Sequence, residues 1–295
     1  MSRQRLRDGI ADQFSYRGDR SDIWRVFDQF LETDAFLNLG YSAWYQPHAV
    51  GSPQRRLATV IGRRLATHLP ATRGVRLLDV GCGRGGPALE LAEQFGFRVT
   101  GIDLVRYNVA RARENGRQRD GEATFVEGDA TSLPLKPGSV RACTAVDALV
   151  YLPDRAAVAE ELATVLQPGG VFVFSDLVAR ADLTDRERRA VDGFASAWDM
   201  PSPATVPEYR RVLQDAGFTV RTVEDLSSHS VGRFRTWTTL FRWLHRTPAG
   251  GLLDRGLRRY DLDPDVIAEQ IRRAHEALPA LKHVLVVAKT PGNEE

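Results

Sequence analysis

The chain has 295 residues, of which 43% are hydrophobic and 26% are charged, as is usual for a globular protein. Its 40 basic and 38 acidic residues leave a net charge of +2, which gives no electrostatic case for a nucleic-acid partner. No apolar run approaches about 18 residues and the N-terminus lacks an apolar segment, so we expect neither membrane insertion nor a secretory signal. Two cysteines, Cys82 and Cys143, are too few for a disulfide framework or a zinc site, and a cytoplasmic location is expected.

The N-terminal segment, residues 1–70, is predicted to be helical and to close over the functional site. Apolar residues recur at helical spacing over 21–36, and residues 53–69 form a second helical pattern that leads to the first strand. Between these patterns, residues 36–45 are aromatic and rich in turn formers.

From residue 71 onward, strand and helix patterns alternate. The predicted strands are 75–80, 97–102, 122–127, 140–146 and 171–178, and the predicted helices are 87–95, 105–118 and 154–166. A tight turn is predicted at Gly169-Gly170. Alternation of this kind predicts a parallel sheet with helices on both faces, and we assign this core to residues 71–178.

The rest of the chain adds two strands and a helical lid. Residues 179–281 show helical patterns rich in aromatic residues, with one strand near 218–225. The last strand, 283–288, is predicted beside it, within a C-terminal segment 282–295. The predicted fold is therefore α/β and Rossmann-like: a doubly wound, mostly parallel seven-stranded sheet with an antiparallel last strand and a helical lid that binds the acceptor.

A glycine-rich turn follows the first strand. Asp79 ends the strand, and Gly81, Gly83 and Gly85 follow before the helix that begins at Pro87. Glycines let the backbone approach a ligand closely, and the helix start offers unpaired N–H groups. The spacing differs from G-x-G-x-x-G, and Asp79 would repel a pyrophosphate but can bind a cationic amino-acid ligand. S-adenosylmethionine (SAM) has an ammonium, a sulfonium and no phosphate.

Two further acids follow strands. Asp103 ends the second strand about 20 residues after the glycine-rich turn, where an acid can accept hydrogen bonds from both ribose hydroxyls. Capping of the helix 105–118 is compatible with that role. Asp129 follows the third strand, where an ordinary Asx turn is the alternative to a ligand contact.

The run Asp79-Val80-Gly81-Cys82-Gly83-Arg84-Gly85 resembles the first motif of the class I SAM-dependent methyltransferases. The resemblance implies SAM as the cofactor. It implies that Asp103, with Leu104 beside it, binds the ribose and that Asp129 and Ala130 bind the adenine. It also implies that Asp147, at the end of the fourth strand, faces the methionine part of the cofactor.

The segment Asn38-Leu39-Gly40-Tyr41 is similar to the N-terminal turn of ubiquinone-type and natural-product methyltransferases. That similarity implies that Tyr41 lies near the sulfonium, where an aromatic ring face gains about 0.5–2 kcal/mol from a cation; ordinary packing is the alternative. Over residues 30–290 the chain resembles the small-molecule subgroup that includes the rebeccamycin-type sugar O-methyltransferases.

One departure from the sugar enzymes concerns the catalytic base. They carry a histidine pair after the fourth strand, one serving as base, where this chain has Val150 and Tyr151. The acid of that site is retained as Asp176, so the candidate catalytic residues are Asp176 and Tyr151; a capping or salt-bridge role is the alternative for Asp176. Four histidines of the flanking segments are candidate replacements for the base: His48, His229, His245 and His275.

The expected activity is SAM-dependent C-, O- or N-methylation of a small, apolar, aromatic or prenyl-type metabolite in natural-product or quinone-like metabolism. We expect no metal, because no cluster of ligands shows metal-binding spacing. The alternatives are a non-catalytic SAM-binding regulator or scaffold, and a methyltransferase that acts on a macromolecule. A monomer or homodimer is expected.

Overall fold

A computed structural model describes residues 34–43, 52–248, 250–259 and 262–292. Its strands are β1 Arg76–Val80, β2 Arg98–Asp103, β3 Ala123–Glu127, β4 Val140–Val146, β5 Leu166–Ala179, β6 Thr219–Asp225 and β7 Leu281–Lys289. The α-helices of the described residues are α1 Pro53–His68, α2 Gly86–Phe95, α3 Arg106–Gly116, α4 Arg155–Val165, α5 Asp185–Ala197, α6 Val206–Asp215, α7 Val231–His245, α8 Gly250–Arg259 and α9 Pro264–Ala277.

The seven strands form one sheet in the order β3-β2-β1-β4-β5-β7-β6. Neighbouring strands from β3 to β5 are parallel, and β7 is antiparallel to both β5 and β6. The chain moves outward from β1 to β3 and then returns to place β4 on the other side of β1. Ligands of doubly wound sheets bind at such a switch point, outside the carboxyl ends of the strands, here between β1 and β4.

Helices cover both faces of the sheet. Helices α1 to α3 pack on one face, and α4 and α6 pack on the other. A third apolar group, which we call the lid cluster, lies at the carboxyl edge of β4 and β5 and joins α5, α8 and α9. Its buried members include Val150, Leu177, Phe194, Trp198, Met200 and Ile267. The lid cluster therefore lies beside the switch point.

All seven predicted strands are confirmed, and the predicted fold class is correct. Strand β5 is longer than expected because it extends back to Leu166, which pairs with Val140. The turn predicted at Gly169-Gly170 is wrong, since both residues lie inside β5, where Gly169 takes a φ of +67° next to an irregularity in the pairing with β4. The helix predicted at 21–36 falls largely outside the described residues, and residues 34–36 are not helical.

Within the described part of the chain, no helix is both long and apolar enough to cross a membrane.

Candidate active site

The glycine-rich turn joins β1 to α2 and contacts the segment after β4. Gly81, Gly83 and Gly85 have φ values of +65°, +53° and +85°, which side-chain-bearing residues rarely adopt. A Cβ on Gly81 would lie 2.5 Å from the Cβ of Ala148, just after β4. Glycine at position 81 thus lets the two strand ends of the switch point approach each other.

Asp79 is a buried acid that lacks a neutralising partner among the described residues. Its side chain is at β1 beside the turn, only 1% exposed, and neither carboxylate oxygen has a hydrogen-bond partner among the described residues. Burial, and then the charge of Asp103, raises the pKa of Asp79 well above its usual value. An unpaired carboxylate is costly to bury, so its place beside the turn fits a ligand that carries a positive charge.

Asp103 holds the turn in place. Its Oδ2 accepts a hydrogen bond of 2.8 Å from the backbone N of Gly83, and its Oδ1 accepts from the backbone N of Val105 and from Asn108 Nδ2. Burial raises the pKa of Asp103, and the same three hydrogen bonds oppose that rise. Each carboxylate oxygen can accept two hydrogen bonds, so Oδ2 retains capacity for a ribose hydroxyl.

The remaining predicted cofactor residues follow β2 and β3 at the same edge of the sheet. Asp129 Oδ1 accepts hydrogen bonds of 2.9 Å from both the backbone N and Oγ1 of Thr131, so the Asx turn considered as an alternative is present. Ala130 is buried and Leu104 is half-buried.

Asp147 joins the end of β4 to three other parts of the chain. It takes a φ of +54°; its Oδ1 accepts from Ser175 Oγ at 2.5 Å and lies 2.8 Å from His283 Nε2. Its Oδ2 accepts from the backbone N of Leu39 at 2.7 Å, and Nδ1 of His283 lies 2.7 Å from Ser230 Oγ. Burial opposes ionisation of Asp147, but His283 and the other hydrogen bonds outweigh it and lower the pKa of Asp147.

His283 was missed by the sequence analysis, which considered other histidines. Its side chain is fully buried at the start of β7. Because β7 runs antiparallel, its first residues lie at the edge where the parallel strands end. A histidine directly before the apolar run 284–288 was the available signal.

Residues 34–43, which we call the cover segment, lie across the turn. The carbonyl of Ala35 accepts a hydrogen bond of 2.8 Å from the backbone N of Gly86, and a Cβ on Gly83 would lie 3.4 Å from Cδ1 of Leu37. Tyr41 stacks on His229 with 4.4 Å between ring centroids. In this segment it is Leu39, not Tyr41, that contacts Asp147.

Asp176 is fully buried at the end of β5. Its Oδ1 accepts from the backbone N of Val150 at 3.2 Å, and its Oδ2 accepts a short hydrogen bond from the hydroxyl of Tyr209. Burial raises the pKa of Asp176 to about 7, against the opposing effects of Tyr209 and Arg155. Both oxygens thus accept hydrogen bonds within the protein, which fits the structural role left open by the sequence.

Tyr151 follows β4 and packs against the lid cluster. Burial, and then the charges of Asp147 and Asp176, raises the pKa of Tyr151, so its phenol stays protonated at neutral pH. Among the candidate replacement histidines, His229 Nδ1 lies 3.0 Å from the carbonyl of Ser42 and His275 Nδ1 lies 2.9 Å from Thr238 Oγ1, while His48 falls outside the described residues.

No group of three or more potential metal ligands occurs among the described residues.

Comparison with known proteins identifies the family. The sequence family described as a methyltransferase domain matches residues 78–174. The methyltransferase GfsG of Streptomyces halstedii is 30% identical over 224 residues, which cover 75% of this chain and 79% of the relative. A 27-O-demethylrifamycin SV methyltransferase of Amycolatopsis mediterranei is 28% identical over 276 residues, covering 92% and 97% of the two chains.

A solved structure shares the fold over nearly the whole chain. The geranyl diphosphate C-methyltransferase of Streptomyces coelicolor A3(2), crystallised with Mg²⁺, geranyl-S-thiolodiphosphate and S-adenosyl-L-homocysteine, has a TM-score of 0.69 at 17% identity and covers 96% of this chain and 97% of its own. The glycine-rich turn and the sheet order agree with the domain match and with the extent of the match to the relative of Streptomyces halstedii. The chain therefore belongs to the class I SAM-dependent methyltransferases.

Proposed function

We propose that this enzyme methylates a small apolar acceptor, with a ring system or a prenyl-type chain, and that SAM binds at the switch point between β1 and β4. The observation that carries the cofactor site is Asp79, a buried carboxylate with no hydrogen-bond partner among the described residues. It fits the ammonium of SAM, because a cation there would neutralise the most costly charge of the site.

Each of the other cofactor residues has a role that fits its position. The turn at Gly81 and Gly83 lets the backbone approach the ligand, and Asp103 offers Oδ2 to the ribose while it holds Gly83. Asp129 and Ala130, which follow β3, serve the adenine. SAM supplies a methyl group on a sulfonium, which is already activated toward a nucleophile.

Water exclusion and alignment are the main tasks left to the protein. The cover segment lies over the turn, and Asp147 fixes it through the backbone N of Leu39. The lid cluster presents apolar side chains beside the ends of β4 and β5, which favours a ring or prenyl chain over a free sugar. In this assignment residues 1–70 cover the cofactor, 71–178 bind it, and the helices of 179–281 enclose the acceptor.

The site has few groups that could remove a proton from the acceptor. Val150 has no basic group, Tyr151 stays protonated, and both oxygens of Asp176 accept hydrogen bonds within the protein. The acceptor atom should therefore need little help: an easily ionised hydroxyl, a neutral amine, or an electron-rich carbon. Two similar proteins support this class, since the relative of Amycolatopsis mediterranei is named as a methyltransferase of 27-O-demethylrifamycin SV and the solved structure holds geranyl-S-thiolodiphosphate.

A panel of acceptors tests the proposal. Radiolabelled SAM is incubated with the purified enzyme and a prenylated hydroquinone, a macrolide-type polyketide alcohol, a prenyl diphosphate or a free sugar, each with and without EDTA. We expect transfer to one or more of the apolar acceptors, unchanged by EDTA, and none to the sugar. Preference for the sugar would contradict the acceptor class. SAM binding without transfer to any acceptor or host extract would favour a non-catalytic protein.

The proposal includes a cytoplasmic monomer or homodimer without a nucleic-acid partner. The net charge of +2 supports the last point, since the chain as a whole has no large excess of positive charge to attract a phosphate backbone.

A further inference from the structure

Large apolar side chains are exposed mainly on the helix pair α7 and α8. Within the described residues, the exposed large apolar side chains include Trp237, Leu240, Trp243 and Leu252, with exposed fractions of 46%, 43%, 61% and 66%. Helices α7 and α8 pack against each other. We call these four side chains the tryptophan face. Large apolar groups exposed together mark an interaction surface more often than single exposed residues do.

Helix α7 carries apolar residues on two sides. Phe234 and Phe241 pack against the lid cluster, and Thr238 between them is buried. Trp237, Leu240 and Trp243 recur every three residues on another side, which is exposed. The internal packing of the lid therefore uses one apolar side of the helix and leaves the other available to a partner.

The charge around this face is strongly positive. Residues 231–259 contain seven arginines and one acidic residue, Asp254, in a chain whose net charge is only +2. Arg235, Arg246, Arg255, Arg258 and Arg259 are exposed. A two-fold dimer through this face would bring two arginine-rich segments together, which is unfavourable. Exposed tryptophans bordered by arginines match instead the boundary of an anionic lipid bilayer, where indole rings lie among the headgroups.

We propose that the tryptophan face docks this enzyme on the surface of a membrane that contains anionic lipids. The rings of Trp237 and Trp243 and the side chain of Leu252 enter the headgroup region, and the surrounding arginines contact lipid phosphates. This mode requires no membrane-spanning segment.

The docking helix also holds the cover segment. Arg233, in the first turn of α7, donates a hydrogen bond of 3.1 Å to the carbonyl of Ala43, and His229 just before α7 stacks on Tyr41. A membrane bound on one side of α7 therefore lies close to the cover of the site. An apolar acceptor dissolved in the bilayer would then have a short path to the lid cluster.

Vesicle flotation tests the proposal without acceptor or SAM, so its outcome is independent of the proposed function. Wild-type protein should float with phosphatidylcholine vesicles that contain phosphatidylglycerol and should bind pure phosphatidylcholine far less. The double variant Trp237→Ser/Trp243→Ser should lower the vesicle affinity at least about tenfold. Val126→Ser, which removes an exposed apolar side chain from β3, is the matched control and should bind like wild type.

Charge is tested separately. Arg255→Gln/Arg258→Gln/Arg259→Gln should weaken binding to the anionic vesicles by roughly fivefold for each arginine removed, and added salt should reduce this difference. Arg117→Gln, at the end of α3 on another part of the surface, is the control. Circular dichroism and SAM binding verify the fold of every variant.

Two results would overturn the proposal. One is equal flotation of the wild type and the double tryptophan variant. The other is a wild-type protein that binds no vesicles but self-associates in sedimentation, while the double tryptophan variant does not self-associate. The tryptophan face would then be a contact between copies of the chain.

Discussion

At the scale of single residues, the site is organised around acids whose environments differ sharply. Asp79 has no hydrogen-bond partner among the described residues, whereas Asp147, at the neighbouring strand end, has contacts from Leu39, Ser175 and His283. The pKa of Asp79 is raised and that of Asp147 is lowered. The acid without hydrogen-bond partners is suited to binding a cation, and the acid held by three contacts is suited to holding structure.

Replacing Asp79 should separate ligand binding from stability. Asp79→Asn removes the carboxylate that faces the cation, and we expect SAM affinity to fall by about 1.5–3 kcal/mol, roughly tenfold to more than a hundredfold. The ligand-free variant should be as stable as wild type or more stable at neutral pH, because wild type must either bury an unneutralised charge or take up a proton at Asp79 when it folds, and the variant does neither. Calorimetric titration and thermal denaturation give the two readouts.

Thr144→Val is the control for Asp79→Asn. Thr144 pairs with Asp79 in the sheet register, is fully buried, and its hydroxyl also has no hydrogen-bond partner among the described residues, but it has no charge. SAM affinity should not change in this variant. An Asp79→Asn protein that lost stability and kept its SAM affinity would show that Asp79 has a structural role only.

Gly81→Ala should lower the stability of the protein by much more than backbone strain alone explains. Gly138 has nearly the same φ, +61°, but a Cβ there would meet nothing within 4 Å, so Gly138→Ala measures the strain alone, about 1–2 kcal/mol. Gly81→Ala adds the contact with Ala148, and we expect a larger loss of melting temperature together with weaker SAM binding. Ala148→Gly in the same chain should restore part of both; no recovery would mean that the contact is not the cause.

At the scale of elements, the cover segment depends on β7. Asp147 contacts the cover segment through the backbone N of Leu39, and among its contacts His283 of β7 most favours the ionised form of Asp147. Since a carboxylate accepts hydrogen bonds more strongly when ionised, His283 acts on the cover segment through Asp147.

His283→Leu should therefore loosen the cover segment. We expect faster amide exchange at Leu39 and a higher KM for SAM, with a smaller change in kcat. Because its pKa is lowered, Asp147 stabilises the fold at pH values above the usual carboxyl pKa, and this stabilisation is lost as the pH falls through the lowered pKa. In His283→Leu the loss of stability should begin at a higher pH.

His275→Leu, which removes a single hydrogen-bond partner of Thr238 in the lid, is the control. Leu39 exchange that is equally fast in both variants would contradict a specific role for His283.

The helices and strands could be predicted because the spacing of their buried residues is visible in the local sequence. Parallel strands buried on both faces appear as short apolar runs, and glycines or acids mark their ends. The backward extension of β5 could not be predicted, since residues 167–170 have turn composition and only pairing with Val140 makes them a strand. The contact between His283 and Asp147 joins residues far apart in the chain, and no local pattern specifies it.

At the scale of the whole molecule, several buried acids make the stability of the ligand-free enzyme depend on pH. Burial raises the pKa of Asp79, Asp103 and Asp176 in the folded protein. A raised pKa means that the folded state binds the proton more tightly than the unfolded state, so stability falls as pH rises from the usual carboxyl pKa toward the raised value.

Asp176→Asn should remove one part of this dependence. The pKa of Asp176 is about 7, so the melting temperature of wild type should fall relative to the variant between about pH 4 and pH 7. The amide can keep both contacts, because its oxygen accepts from Val150 and its NH₂ group donates to Tyr209. If turnover also stays at the wild-type level, Asp176 is structural; if kcat falls at unchanged SAM affinity, Asp176 takes part in proton removal. Parallel melting curves at every pH would contradict the raised pKa.

The place of β7 between β5 and β6 determines the order in which the sheet can assemble. Residues 180–280 separate β5 from β7. Among the strands of the described residues, β6 comes earlier in the chain but pairs only with β7. Pairing of β7 with β5 closes a long loop and should be slow, and β6 can join the sheet only together with β7 or after it. In refolding experiments we therefore expect an early intermediate that contains β1 to β5, with SAM binding regained only in the slowest phase. Binding regained in the fast phase would contradict this order. Strand β7, which carries His283, is thus also the strand that completes the sheet. Because His283 contacts Asp147 and Asp147 holds the cover segment, the cover segment is fully held only in a molecule that has finished folding.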